Sequence, residues 1–170
     1  MNKRNIILIG MPGAGKSSVG VILAKVLGYE FIDTDLVIQH REKRLLREII
    51  ADEGNEGFLA IENEVNATLE ADKSVIAPGG SAIYGKEAME HFKEIGTIVY
   101  LKLSYEDLAK RLGNLKGRGV VLKEGQTLKD LYDERSKLYE QYAEITVDES
   151  GRDIPVSYTH LRAHETRHDL

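Results

Sequence analysis

The stretch Gly10-Met11-Pro12-Gly13-Ala14-Gly15-Lys16-Ser17 holds the most legible chemistry in the chain. Its spacing is G-x-x-x-x-G-K-S. Glycines let such a loop curl until successive backbone N–H groups point inward, a geometry that cradles phosphate oxygens. Residues 6–9 before it are an apolar run of strand length, and a helical pattern follows at once. The helix adds its positive N-terminal end to the same anion site. In that arrangement Lys16 reaches the β/γ-phosphates of a nucleotide and the Ser17 hydroxyl faces Mg²⁺. The alternative, a glycine-rich turn with a surface lysine, leaves the flanking strand and helix without a purpose.

Other residues carry charge in unusual places. Asp33 and Asp35 close a short apolar stretch at 29–32. Either they cap the next helix, or one is the metal-side carboxylate, since ligands in open α/β sheets sit outside the carboxyl ends of the strands. Arg135 sits in the middle of the apolar stripe Leu128, Leu131, Tyr132, Leu138, Tyr139 and Tyr142. An unpaired buried charge is costly, so Arg135 needs a partner: a structural carboxylate or an anionic ligand. Arg118 falls in the glycine-punctuated stretch 115–126. That stretch reads as a mobile loop, and its arginine either stays in solvent or closes over the phosphates to offset transition-state charge. Arg41, Arg44 and Arg47 recur at three-residue spacing. They read as a solvated helix face, with a substrate-anion role as the lesser alternative.

The elements that must position these groups follow from periodicity. Val19, Ile22, Leu23, Val26 and Leu27 form one helical face, and Gly28 ends that helix as a C′ residue. Leu45, Leu46, Ile49 and Ile50 make a stripe that stops before Gly54. A helix over 57–71 buries Phe58, Ile61, Val65 and Leu69. Leu59 shares the opposite face with Glu62, Asn63 and Asn66 and reads as an ordinary exposed apolar residue. Residues 74–77 form a strand closed by Pro78-Gly79-Gly80-Ser81, either a plain turn or a place of close backbone approach. A helix over 86–93 ends at Gly96, and 97–103 is a strand. Ser104-x-x-Asp107 caps a helix that carries Leu108, Lys110, Arg111 and Leu112, and Thr127-x-x-Asp130 opens the helix of Arg135. Residues 145–147 make the last strand. Strands alternating with helices predict an α/β parallel sheet.

Composition sets the outer limits. The 170 residues suffice for one domain with a real core. A net charge of -5 and the lack of a basic block argue against a nucleic-acid or membrane surface. There is no cysteine, which excludes disulfides, thiol catalysis and zinc–thiolate sites. The N-terminus lacks the apolar length of a signal peptide, so a cytoplasmic protein is expected.

Over about residues 4–150 the chain resembles the shikimate kinases, within the nucleoside-monophosphate-kinase-like P-loop class. The resemblance rests on the loop at 10–17, Phe31-x-Asp33-x-Asp35, Gly54-x-x-Gly57-Phe58-x-x-x-Glu62, Gly79-Gly80, Arg111 with Arg118, and Glu134-Arg135-x-x-Leu138-Tyr139. It implies a five-stranded parallel sheet in the order 2-3-1-4-5. It implies one kinase domain over 1–154, with substrate-binding helices at about 36–71 and a lid at about 115–126. The implied reaction is ATP-dependent phosphoryl transfer to the 3-hydroxyl of shikimate, a step of aromatic amino-acid biosynthesis, in a monomer. Under that resemblance Gly13, Ala14, Gly15, Lys16, Ser17 and Ser18 hold the nucleotide, Arg111 lies near adenine, and Arg118 is the lid arginine. Ser17, with Asp33 through water, positions Mg²⁺. Asp35 binds the substrate hydroxyls and orients or deprotonates the attacking one. Gly79 and Gly80 offer N–H groups to the substrate, and Arg135 pairs with its carboxylate. Lys16, Asp35 and Arg118 form the catalytic set.

Three departures stand out. The family has an arginine after the phenylalanine of the Gly-x-x-Gly-Phe segment, at a substrate-binding position, and here that residue is Leu59. Loss of one charge-assisted partner weakens carboxylate binding by roughly 1.5–3 kcal/mol, unless Arg41, Arg44 or Arg47 compensates. Ser81 replaces the third glycine of the family's run, with Pro78 where threonine is common, and Gly119 replaces the lid proline. A kinase for another small anionic hydroxy metabolite, such as a gluconate-like acid, is the alternative. A non-catalytic nucleotide-binding module is a third reading, against which the retention of Lys16, Asp33, Asp35 and Arg118 speaks. Residues 155–170 are set apart. Their His160, His164 and His168 could be a metal stripe, but the stretch from Ser157 to Thr166 resembles translated sequencing-adapter read-through. The expectation is a native sequence that ends near Ile154, followed by a foreign tail.

Overall fold

The computed structural model describes residues 4–113 and 124–150. Arg118, Gly119 and the tail at 155–170 lie outside them. Strand β1 (Asn5–Ile9) is buried along its whole length and sits mid-sheet. It pairs in parallel with β3 (Ser74–Ala77) on one side and β4 (Gly96–Lys102) on the other. β2 (Glu30–Asp33) extends the sheet beyond β3, and β5 (Ile145–Asp148) extends it beyond β4. The order is 2-3-1-4-5, as the resemblance implies.

Both faces of the sheet are covered, which is why its central strands read as continuous apolar runs rather than alternating ones. Ile7, Ile9, Ile76, Ile98 and Tyr100 face one core, shared with Met89 and Phe92 of α4 (Lys86–Ile95) and Leu131 and Tyr139 of α6 (Leu128–Tyr142). Ile6, Leu8, Val75, Val99 and Leu101 face the other, against Val19 and Leu23 of α1 (Lys16–Leu27). The helix α1 ends at Gly28, in the left-handed region at φ 70°. Its buried face differs from the expected stripe. Ile22 and Val26 are 37% and 45% exposed, while Gly20 and Ala24 are inside. A Cβ on Gly20 would stand 2.6 Å from the Phe31 ring. The helix is turned toward its small residues, which let the sheet approach closely and which apolar periodicity undervalues.

Helix α2 (Thr34–Glu42) begins where β2 ends. Helix α3 (Leu46–Ala67) is two helical arms joined across a kink at Gly54, whose φ 75° and ψ 177° are not helical. The two helices expected on either side of Gly54 are thus its two arms. The second arm lies between α2 on one side and α4 with the turn Ala82–Tyr84 on the other. Its polar face is therefore not solvated: Glu62 and Asn66 are buried. Leu59 is partly buried and packs against Ile38, Ile49, Phe58 and Val65, rather than standing exposed. Helix α5 (Tyr105–Gly113) starts with the Asp107 N–H donating to Ser104 Oγ at 3.2 Å. The reciprocal Thr127–Asp130 box opens α6.

Candidate active site

The site gathers at the carboxyl ends of β1, β2 and β3. Gly15 takes the left-handed conformation, φ 85° and ψ 18°, at the N-cap of α1 and brings no side-chain cap. The first N–H groups of α1 are left for a ligand. Lys16 is buried and donates from Nζ to the carbonyls of Gly10 at 2.7 Å and Met11 at 2.9 Å. Burial pushes its ammonium down to about 8, against the opposing charge of Asp35. Ser17 and Ser18 are exposed at the mouth of the loop. Arg111 reaches from α5 and donates to the Gly13 carbonyl at 3.0 Å, so the described contact braces the loop from the side.

The end of β2 serves two purposes at once. Asp33 is the N-cap of α2, and its Oδ1 accepts the Asp35 N–H at 3.0 Å. Both aspartates also act electrostatically on Lys16. The Asp35 carboxyl is pushed above the usual carboxylate range by burial and then by the charge of Asp33, with Lys16 pulling the other way.

Gly79 and Gly80 follow β3 and are closely hemmed in by their neighbours. A Cβ on Gly79 would stand 3.0 Å from Asp35 Oδ1 and 3.1 Å from Glu62 Oε2. One on Gly80 would stand 2.7 Å from Pro12 Cδ and 2.9 Å from an Arg135 terminal nitrogen. The two glycines are therefore the meeting point of the phosphate loop, α2, α3 and α6. Tyr139 fixes that point: its hydroxyl donates to the Gly80 carbonyl at 2.7 Å. Arg135 is 3% exposed, and its Nε has no hydrogen-bond partner. Its guanidinium lies 5.6 Å from the centre of the Tyr84 ring. Among the described residues no carboxylate forms an ion pair with it. Its partners among the described residues are the Tyr84 and Tyr139 hydroxyls, not the structural carboxylate that the sequence left open.

Two residues stood in the sequence motifs without a role. Glu62 is 1% exposed; its Oε1 accepts from Ser81 Oγ at 2.7 Å and its Oε2 has no partner. Burial pushes it up to about 7, and Asp35 adds to the rise. The signal was its place at the end of the Gly54–Glu62 motif. Tyr139 read as an apolar stripe residue at the end of the Glu134–Tyr139 motif, although an aromatic ring with a hydroxyl at a packed position needs a hydrogen-bond partner. Arg41 pairs with Glu64, and Arg44 pairs with Glu42 and Asp52.

A phosphate loop on a 2-3-1-4-5 sheet, facing an acidic and a cationic group across a glycine pair, defines a small-molecule kinase of the P-loop class. A family model described as shikimate kinase matches residues 12–164, and the chain belongs to that family. Shikimate kinase 2 of Yersinia enterocolitica is 34% identical over 154 residues, covering 85% of this chain and 86% of that one. The structure of the Acinetobacter baumannii shikimate kinase in complex with shikimate superposes with a TM-score of 0.83 at 32% identity, covering 96% of this chain and 93% of that one. The Aquifex aeolicus shikimate kinase gives 0.78 at 28% identity, with 98% of each chain covered.

Proposed function

We propose that this enzyme transfers the γ-phosphoryl group of ATP to the 3-hydroxyl of shikimate. The observation that carries the reading is Arg135: a buried guanidinium with an unanswered Nε, set against Gly80 and in no ion pair among the described residues. Such a group is a receptor for a planar anion, and it holds the acceptor's carboxylate. Asp35, across the glycine pair, faces the hydroxyls. Lys16 leaves the Gly10 and Met11 carbonyls for the β/γ-phosphates, whose charge holds its proton more firmly.

The hydroxyl oxygen forms a bond to Pγ as the bond from Pγ to the β–γ bridging oxygen breaks, and ADP leaves with that electron pair. Asp35 takes the hydroxyl proton. Its raised basicity suits that task. Most of the catalysis is positioning and charge stabilisation, supplied by the N-terminus of α1, Lys16 and, from the lid, Arg118. Mg²⁺ fits the donors present. Ser17 and Asp33 are hard oxygen ligands, and this cation takes one or two of those and fills its shell with phosphate and water. It would neutralise charge on the β- and γ-phosphates. One chain supplies every group named, in keeping with a monomer.

The test is ADP release from Mg-ATP with and without shikimate. Turnover is expected only with shikimate, falling by about 10²–10⁴ in Asp35→Asn. A protein that binds ATP but gains nothing from shikimate would take a different acceptor.

A further inference from the structure

The acceptor site holds more carboxylates than an anionic acceptor tolerates. Asp35 on α2 and Glu62 on α3 flank Gly79, and Arg135 on α6 is the guanidinium that faces them. Lys16 belongs to the phosphates. The carboxylate of Glu87 on α4 is engaged by Asn63 and not by Glu62. When the acceptor's carboxylate enters and takes Arg135, Glu62 loses the cation that favours its ionised form and gains a negative neighbour.

Two departures from the family's pattern meet at this residue. Leu59 stands where the family has an arginine, three residues before Glu62 and so on the same side of the helix. Ser81 stands where the family has glycine, and its hydroxyl donates to Glu62 Oε1 at 2.7 Å. A cation is gone from one side and a neutral donor has been added on the other. Oε2, buried and without a partner, points toward Gly79.

We propose that acceptor binding takes up one proton from solvent and that Glu62 holds it on Oε2. Glu62 then acts as a neutral carboxylic acid that accepts from Ser81 and donates across Gly79 to the acceptor. It is a specificity-determining residue, selecting acceptors with an oxygen placed to receive that hydrogen bond. The proposal rests on the reading that the acceptor is an anion held by Arg135. Burial has prepared the group, since its carboxyl already titrates at about 7 in the free protein.

Calorimetric titration of shikimate into the enzyme, in two buffers of different ionisation enthalpy, measures the proton directly. Uptake is expected to approach one proton at pH 8, where free Glu62 is largely ionised, and to fall toward zero at pH 6, where it is already protonated. Apparent affinity should drop about tenfold per pH unit above the free-state value. Glu62→Gln keeps an acceptor for Ser81 and should bind at pH 8 without uptake. Leu59→Arg restores a neighbouring cation and should also abolish it. Shikimate binding at pH 8 with no uptake in the unaltered enzyme overturns the proposal and leaves the acceptor reading intact. Undiminished uptake in Glu62→Gln overturns it as well. No binding at either pH, in a protein that binds ATP, removes the acceptor reading and this proposal with it.

Discussion

A guanidinium on the inner face of α6, held by the Tyr84 and Tyr139 hydroxyls and with no ion pair among the described residues, keeps its Nε for whatever enters the site. Its planar fork is what a carboxylate needs, and an ammonium in its place is a point charge. Arg135→Lys should therefore raise KM for shikimate by about 10–100-fold, equivalent to 1.5–3 kcal/mol of charge-assisted bonding, with kcat changed far less. Steady-state kinetics separate the two. An equal loss in kcat would give Arg135 a transition-state role instead. Lys16 makes a second case. Its amine titrates at about 8 because burial outweighs the nearby aspartates. The phosphates favour the charged form, so nucleotide affinity should decline as pH rises above 8, followed with a fluorescent ATP analogue. Lys16 and Asp35 were legible because a motif fixes their spacing. Glu62 was not: it sits among asparagines on a face that looks solvated, and only the packing of α4 and the Ala82–Tyr84 turn over that face makes it internal.

Elements were easiest to read where a cap or a glycine marks them. Gly28, Gly54 and the Thr127–Asp130 box each stop or start a helix where the sequence puts the break. The face of α1 was misread because its inward side is built partly from Gly20 and Ala24, whose contribution is closeness rather than apolar area. The break in α3 is open to a direct test. A Cβ on Gly54 would meet nothing within 4 Å, but the residue sits at φ 75°. With ψ at 177° this is a conformation that essentially only glycine adopts, so Gly54→Ala carries a backbone penalty of about 1–3 kcal/mol. A Tm lower by roughly 2–12 °C is expected, read by circular dichroism. An unchanged Tm would mean that the two arms of α3 merge into one straight helix at no cost, without a required bend over the acceptor site.

At the scale of the molecule the sheet order decides where charge accumulates. β1 carries the phosphate loop, and β3, beside it, ends at the glycine pair. β2, beyond that, ends at the aspartates. Ligands bind outside such carboxyl ends, and the groups gathered there are strained until ligands arrive. The β-loop-α start and the strand–helix alternation were legible from residues. The 2-3-1-4-5 order came from the resemblance, because pairing between distant strands leaves no local mark. The strain sets a pH profile for the free enzyme. Glu62 titrates at about 7 in the fold and at an ordinary value of 4.5 when unfolded. Between those values the native state binds more protons, so stability falls as pH rises, by roughly 3 kcal/mol at the limit. Asp35 shifts in the same direction. Lys16 titrates at about 8 in the fold against 10.5, so the native state binds fewer protons above 8 and stability rises there. The free enzyme should be least stable between about pH 7 and 8, where both charges are buried and present. Melting curves across pH 5–10 test this. Glu62→Gln should remove most of the descent between pH 5 and 7 and leave the rise above 8. Mg-ATP should fill the trough from the Lys16 side. A flat profile from pH 5 to 8 in both proteins would mean that water reaches Glu62 and the carboxyl is not desolvated as its burial implies.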